Sequence, residues 1–388
     1  MVKMKRILDI KLPQWQSAFL WGPRKTGKTT YLKEKFSQSI YYDFLKTDLF
    51  FDLSKNPSLL REQLLVKLEK EPSRFKYPVI LDEVQKIPQI LDEVHWLIEN
   101  KRINFILCGS SARKLKRSKS NLLGGRAWRY EMFPLTTVEI EKPSLLRILN
   151  HGLIPQHYLQ KEYKKSLQGY VYDYLKEEVF AEGLSRNISA FSRFLDAVGY
   201  SHGQIVNYSN IARDCGVDAK TVKEYYQILE DTLLGRKVEP FKKRGSRSII
   251  TSAPKFYLFD VGVAGIIIKR NLETEKGEEF GRAFEHFIFM ELCAYRSYRE
   301  KDFEINYWRT KTGYEVDFVL AKGEVAVEVK GSSLIDKKDL KSLFAFDEKY
   351  SPKKLILVSN EKYERKVKKI YIKPWRVFLE ELWKDKVV

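Results

Sequence analysis

The sequence predicts an α/β protein: a parallel sheet first, a helical stretch next, and a second α/β unit to close the chain. Three observations carry this. Short apolar runs alternate with helical stretches over the first third, and from about Thr137 apolar residues recur at helical spacing. From Phe280 the order becomes helix, three strand-like runs, helix, strand. Strands alternating with helices imply a parallel sheet covered on both faces. A chain of 388 residues also suits two or three domains of the usual ~100–200 residues. The expected boundaries are 1–136, 137–270 and 271–388.

The elements follow in chain order. Ser17 to Trp21 reads as a buried strand, followed by a glycine-bearing loop and a helix from Lys28 to Phe36. Val79 to Leu81 and Asn104 to Cys108 are further apolar runs bounded by polar turns. In the middle, Leu167, Tyr170, Tyr174, Leu175 and Val179 share one helical face. Tyr208 to Asp218 reads as a helix ending in a glycine turn, and Asp218 caps a second helix holding Val222, Tyr225, Tyr226 and Leu229. Ile211, Ala212, Val217 and Val222 have the spacing that locks the two helices together. Leu234 to Val238 and Lys242 to Arg247 then read as arms and a basic loop, a winged-helix arrangement with the loop as wing. In the last unit a helix carries Phe284, Ile288 and Leu292. Strands are expected at Ile305 to Arg309, Glu315 to Leu320 and Val325 to Lys330, then a helix from Lys337 to Phe346 and a strand from Leu355 to Ser359.

Composition narrows the function classes. Hydrophobic residues make up 44% and aromatics 13%, enough for real cores and against wholesale disorder. No apolar run approaches the ~20 residues that cross a bilayer, and the basic N-terminus lacks a signal peptide's apolar stretch. Cys108, Cys215 and Cys293 lie far apart with no CxxC pair, so a reducing, cytoplasmic compartment is expected. His95, His151, His157, His202 and His286 show no metal spacing, and His286, beside Glu285, is expected on a helix surface. Seventy Lys and Arg against 51 Asp and Glu leave a net +19. A heat-adapted Lys/Glu-rich surface explains many charges, but a surplus of one sign suits a polyanion such as DNA.

Gly22-Pro23-Arg24-Lys25-Thr26-Gly27-Lys28-Thr29 fits the phosphate-loop pattern G-x-x-x-x-G-K-[ST], with Thr30 next in the helix. Glycines let backbone N–H groups converge on phosphate oxygens, and the helix N-terminus adds positive potential. Lys28 would reach the β- and γ-phosphates of ATP, and the Thr29 hydroxyl would ligate Mg²⁺. Val79 to Glu83 is a buried strand ending in two acids: Asp82 to hold the magnesium, Glu83 to polarise the attacking water. No guanine-binding Asn-Lys-x-Asp motif is present. Ser110, at the tip of a neighbouring strand, can sense the γ-phosphate, and Arg126 is a candidate arginine finger acting in cis or from a neighbouring subunit. The bland alternatives are a Ser/Gly turn and a surface arginine.

Towards the C-terminus, Glu285 lies on the expected helix, Asp317 on one strand and Glu328-Val329-Lys330 on the next. Alternation puts Glu328 and Lys330 on one face, and Asp317 can approach it. Two carboxylates there could bind Mg²⁺ while a lysine orients a water. The alternatives are a solvated sheet face with a cross-strand ion pair and a fold that binds nucleic acid without hydrolysing it.

These residues carry two resemblances. Gly22 to Thr30, Leu81 to Pro88 (Asp-Glu-Val-Gln-Lys-Ile-Pro after Leu81), Gly109 to Leu115 and Leu123 to Arg126 through Phe133 to Thr136 resemble archaeal and bacterial AAA-type ATPases with a C-terminal DUF4143-type domain. That implies an AAA-like P-loop domain, Ser110 or Ser111 as sensor, Arg126 as finger, and a homo-oligomer. The Asp-x(10)-Glu-x-Lys spacing with an upstream helical Glu resembles the PD-(D/E)xK, or restriction-endonuclease-like, fold. It implies Glu285 as accessory acid, Asp317 and Glu328 as metal ligands and Lys330 as catalytic lysine. Val316 stands where that pattern often has proline.

The expected protein is a Mg²⁺-dependent ATPase whose winged helix and nuclease-like domain act on DNA, with Lys220, Lys223, Lys242, Lys243, Arg244 and Arg247 as contacts. A different class is a nucleotide-dependent regulatory switch whose later domains bind proteins and cut nothing. A third is a structural DNA binder with an inactive ATP site.

Overall fold

The computed structural model describes residues 4–111, 113, 123–175, 188–242 and 253–388. Val179 and three expected DNA contacts, Lys243, Arg244 and Arg247, lie outside the described residues. The chain divides into two compact units. One comprises 8–133 with 231–233, the other 1–7, 134–230 and 234–388. Among the described residues no helix is long and apolar enough to cross a membrane.

The N-terminal unit is built on β1 (Ser17–Trp21), β2 (Tyr41–Asp43), β3 (Val79–Asp82), β4 (Phe105–Gly109) and β5 (Ala127–Glu131). Their order is β2-β3-β4-β1-β5 and every pair is parallel. The three inner strands are buried throughout, whereas β5 is half exposed. This matches their sequences: Val-Ile-Leu and Phe-Ile-Leu runs suit a strand covered on both faces. The edge strands β2 and β5 lack such runs and were not expected. Parallel crossovers run through the helices Lys28–Lys35, Ser58–Lys70 and Ile90–Lys101. Register pairs Trp21 with Gly109 and Asp82 with Cys108, so β1, β3 and β4 end side by side.

The second unit begins with helices, among them Ile188–Tyr200, Tyr208–Cys215 and Ala219–Asp231. Asn207 caps the second of these by accepting Asn210 N at 3.1 Å, and Gly216 ends it at φ 66°. Asp218 accepts Thr221 N at 2.6 Å at the start of the third. An antiparallel pair follows, β6 (Gly235–Val238) and β7 (Lys255–Leu258). The Tyr226 ring meets Phe256 edge-on at 4.7 Å and fixes the third helix to this hairpin.

Next comes the long helix Glu278–Tyr298 and a six-stranded sheet. Its strands are β8 (Ile305–Arg309), β9 (Glu315–Leu320), β10 (Val325–Lys330), β11 (Lys354–Ser359), β12 (Arg365–Val367) and β13 (Ile370–Pro374). The order is β12-β13-β11-β10-β9-β8. β8, β9 and β10 form an antiparallel meander, and β11 joins β10 in parallel after the helix Lys341–Tyr350. The expected helix start at Lys337 is a 3-10 turn through Leu340. The closing β12, β13 and helix Trp375–Trp383 were not foreseen.

Asp260 pins this unit internally. Its Oδ1 accepts Gly262 N and Val263 N at 2.9 and 3.0 Å, capping the helix Val261–Ile267, and its Oδ2 accepts Leu153 N at 2.7 Å. Burial raises this carboxyl to about 6 despite the backbone donors, which pull the other way. The junction is tight: a Cβ on Gly262 would stand 2.4 Å from Gly152 N, a backbone atom with nowhere to go. Gly262→Ala should therefore cost about 1–3 kcal/mol in urea unfolding of the full chain. Gly281→Ala, in open space on the long helix, should instead gain about 0.5–1 kcal/mol.

Candidate nucleotide site and C-terminal carboxylate cluster

The loop Gly22 to Thr29 leaves β1 and enters the helix Lys28–Lys35. Gly27 takes φ 94° at the helix cap, and a Cβ on Gly22 would stand 2.5 Å from Met132 O. These are the two places where the pattern needs glycine, one for its dihedral and one for close backbone approach. The loop is drawn in on itself. Thr26 Oγ1 donates to Pro23 O at 2.8 Å, and Lys28 Nζ donates to Gly22 O at 2.7 Å and Pro23 O at 3.0 Å. Lys28 is buried, while Arg24, Lys25 and Thr30 lie exposed on the outer side.

The buried tip of β3 meets this loop. Asp82 Oδ2 accepts Thr29 Oγ1 at 2.7 Å and Tyr41 OH at 2.5 Å, and its Oδ1 accepts Glu83 N at 3.0 Å. Burial, and then Asp82, push the Tyr41 phenol well above its ordinary range, so it stays a donor. Glu83 adopts a left-handed φ of 59°. Gln85 Nε2 donates to Glu83 Oε2 at 2.6 Å and to Ser110 Oγ at 3.0 Å. One amide thus ties the acid after β3 to the serine after β4. Gly109 makes room for it: a Cβ there would stand 2.4 Å from Gln85 Oε1. Arg126 takes no part in this network. Its guanidinium is ion-paired with Glu99 at the surface.

In the second unit the structure gathers Glu285, Asp317, Glu328 and Lys330, and adds partners the sequence did not reveal. Lys330 Nζ lies 2.6 Å from Glu328 Oε1, and Asp317 Oδ2 accepts Val329 N at 2.8 Å. Lys255 Nζ, from β7, stands 2.6 Å from Glu315 Oε1, 3.4 Å from Glu285 Oε1 and 3.7 Å from Asp317 Oδ1. Tyr257 OH donates to Glu285, and Arg309 pairs with Glu315 at 3.2 Å. Burial opposes the Lys255 ammonium, but Glu285 and its neighbours outweigh that and hold its pKa well above the usual lysine value. Burial, then Glu328 and Glu285, push Asp317 well above the carboxylate range. Burial also raises Glu328, to about 6. A cavity of about 380 Å³ opens beside the cluster, lined by Lys255, Glu285, Glu315, Arg309, Arg282 and His202.

One expectation needs correction. His286 is not on a helix surface. It is fully buried, its Nε2 lies 2.7 Å from Leu258 O, and its ring packs 4.1 Å from His202. Burial drives its pKa down to about 3, so it is a neutral core group. Among the described residues no group of three or more His, Cys, Asp or Glu is arranged to hold a metal ion. Lysines fill the cluster instead. Lys220, Lys223 and Lys242 are exposed as expected, with Lys223 Nζ 5.4 Å from the Tyr208 ring centroid.

A glycine-cornered loop between a buried strand and a helix, in a five-stranded parallel sheet, defines the P-loop class of nucleotide-binding domain. Residues 14–141 match the family model for the AAA domain, the ATPase type of that class. Residues 142–274 match one domain of unknown function, DUF8612, and residues 280–378 match another, DUF4143. Similar proteins include an uncharacterized protein of Mycobacterium tuberculosis, 25% identical over 309 residues, 77% of this chain and 66% of the relative. Others are uncharacterized proteins of Haemophilus influenzae (21% identical; 81% of this chain, 80% of the relative) and Methanocaldococcus jannaschii (22%; 82% and 75%). The chain thus spans just under two thirds of the mycobacterial relative's length.

Tyr41 was the first residue here to escape sequence reading, and its weight is measurable. Tyr41→Phe removes one donor from a buried carboxylate, which should cost about 1.5–3 kcal/mol. Urea unfolding of the full chain, with an unchanged far-UV circular dichroism spectrum, checks this.

Proposed function

We propose that this chain is a Mg²⁺-dependent ATP hydrolase whose later segments bind DNA. The observation that carries the first half is the 2.7 Å contact of Thr29 with Asp82, with Glu83 held beside it by Gln85. Thr29 Oγ1 and Asp82 Oδ2 form an oxygen-only pair, the donor chemistry that suits Mg²⁺, and these two residues would hold it. Bound there, the ion offsets charge on the phosphate oxygens.

The chain's own groups do the rest. Lys28 exchanges its loop carbonyls for β- and γ-phosphate oxygens, which the loop amides and the helix N-terminus also attract. Glu83 takes a proton from the attacking water. Gln85 positions Glu83 by donating to its carboxylate, and links it to Ser110, the sensor of the γ-phosphate. Arg126, paired with Glu99 away from its own loop, is suited to act on the nucleotide of a neighbouring copy.

The DNA half rests on charge and order. Three helices and a hairpin follow one another as in a winged helix. Lys220, Lys223 and Lys242 are exposed, and Lys243, Arg244 and Arg247 continue the basic run in sequence. The helix, meander, helix and parallel strand of residues 278–359 support a restriction-endonuclease-like reading of the last part. One observation favours the alternative of a regulatory switch without nuclease chemistry: Glu285, Glu315 and Asp317 are already engaged by Lys255. Cleavage is therefore left out of the proposal.

Phosphate release should fall about 10²–10⁴-fold in Glu83→Gln while a fluorescent ATP analogue still binds. Lys28→Ala should lose that binding, and ATP affinity equal to wild type would overturn the phosphate-loop assignment. Duplex DNA binding, followed by fluorescence anisotropy, should weaken steeply between 50 and 200 mM salt, by roughly tenfold or more for every few phosphates contacted. No measurable binding at low salt would remove the DNA half and leave the switch.

A further inference from the structure

We propose that Lys255 is the resident cation of the C-terminal carboxylate cluster, standing where two strand carboxylates and a helical glutamate would otherwise receive a divalent metal ion. The position of the ammonium carries this. It lies within 4 Å of Glu285 on the helix and of Glu315 and Asp317 on β9, yet it comes from β7, outside that sheet. Lys255 is only 2% exposed. A buried ammonium needs charged partners in place of water, and here it has three.

The remaining groups complete the neutralisation. Lys330 sits on Glu328, Arg309 on Glu315, and Tyr257 donates to Glu285. Four carboxylates thus face three cations. One atom is left over: Glu328 Oε2 is buried without a hydrogen-bond partner. If Lys255 lost its charge, Glu285, Glu315 and Asp317 would remain as hard oxygen donors, the first two lining the cavity, a set that suits Mg²⁺, Mn²⁺ or Ca²⁺. The side chain of Lys255 therefore sets the site's ligand class: an internal ammonium now, a divalent ion without it.

The test uses the full chain free of nucleotide, so that its outcome is independent of ATP hydrolysis. Mn²⁺ is titrated and free ion is read by electron paramagnetic resonance, with thermal unfolding measured in parallel. Wild type and Asp317→Asn should give the same titration, because the wild-type cluster takes up no Mn²⁺. Lys255→Met, which keeps the apolar stem, should gain one Mn²⁺ per chain, bound at least about tenfold tighter than any wild-type site. That gain, and a Mn²⁺-dependent rise in melting temperature, should vanish in Lys255→Met combined with Asp317→Asn. A folded Lys255→Met that gains no site overturns the proposal. So does a wild-type Mn²⁺ equivalent that Asp317→Asn abolishes, a result that stands even if Lys255→Met fails to fold.

Discussion

Parallel pairing in register is the constraint on which the nucleotide site rests. Trp21 opposite Gly109 and Asp82 opposite Cys108 bring the ends of β1, β3 and β4 to one edge. Ligands of open parallel sheets bind at the carboxyl ends of the strands, and every group of the network follows from that alignment. The loop after β1 brings Thr29 to Asp82, and the turn after β3 brings Gln85 to Ser110 after β4. A shift of one residue of β3 against its neighbours would turn Asp82 to the opposite face of the sheet.

What could be read in advance divides along the same line. The three inner strands of the first sheet and the meander β8 to β10 are long apolar or alternating runs, and their bounds were legible almost to the residue. The edge strands β2, β5 and β12 were not, because a half-exposed strand takes its conformation from its neighbour more than from its own sequence. In the sites, residues inside a contiguous pattern were readable: Gly22, Gly27, Lys28, Thr29, Asp82, Glu83. Residues delivered by tertiary pairing were silent. Tyr41 reaches Asp82 from a different strand, and Lys255 reaches Asp317 across 61 intervening positions. His286 misled for a related reason. A histidine next to a site glutamate looks exposed on a helical wheel, but the helix Glu278–Tyr298 is buried around most of its circumference.

The two sites manage buried charge in opposite ways. Around the phosphate loop, Lys28 is satisfied by neutral loop carbonyls, which an anionic ligand can outcompete at little cost, so the lysine is free to change partner. In the C-terminal cluster, Lys255 is satisfied by carboxylates inside the protein. Exchanging those partners would strand several like charges in a medium of low dielectric. The first arrangement suits a ligand that comes and goes, the second a fixed electrostatic joint.

That joint has a mechanical side. Lys255 belongs to β7, and β7 is one half of the hairpin against which Tyr226 packs. Any force that slid the hairpin along its partner would pull the ammonium from the helix and from β9 together. The hairpin and the sheet are therefore coupled by charge as well as by packing, and because the ammonium is buried that coupling should resist added salt.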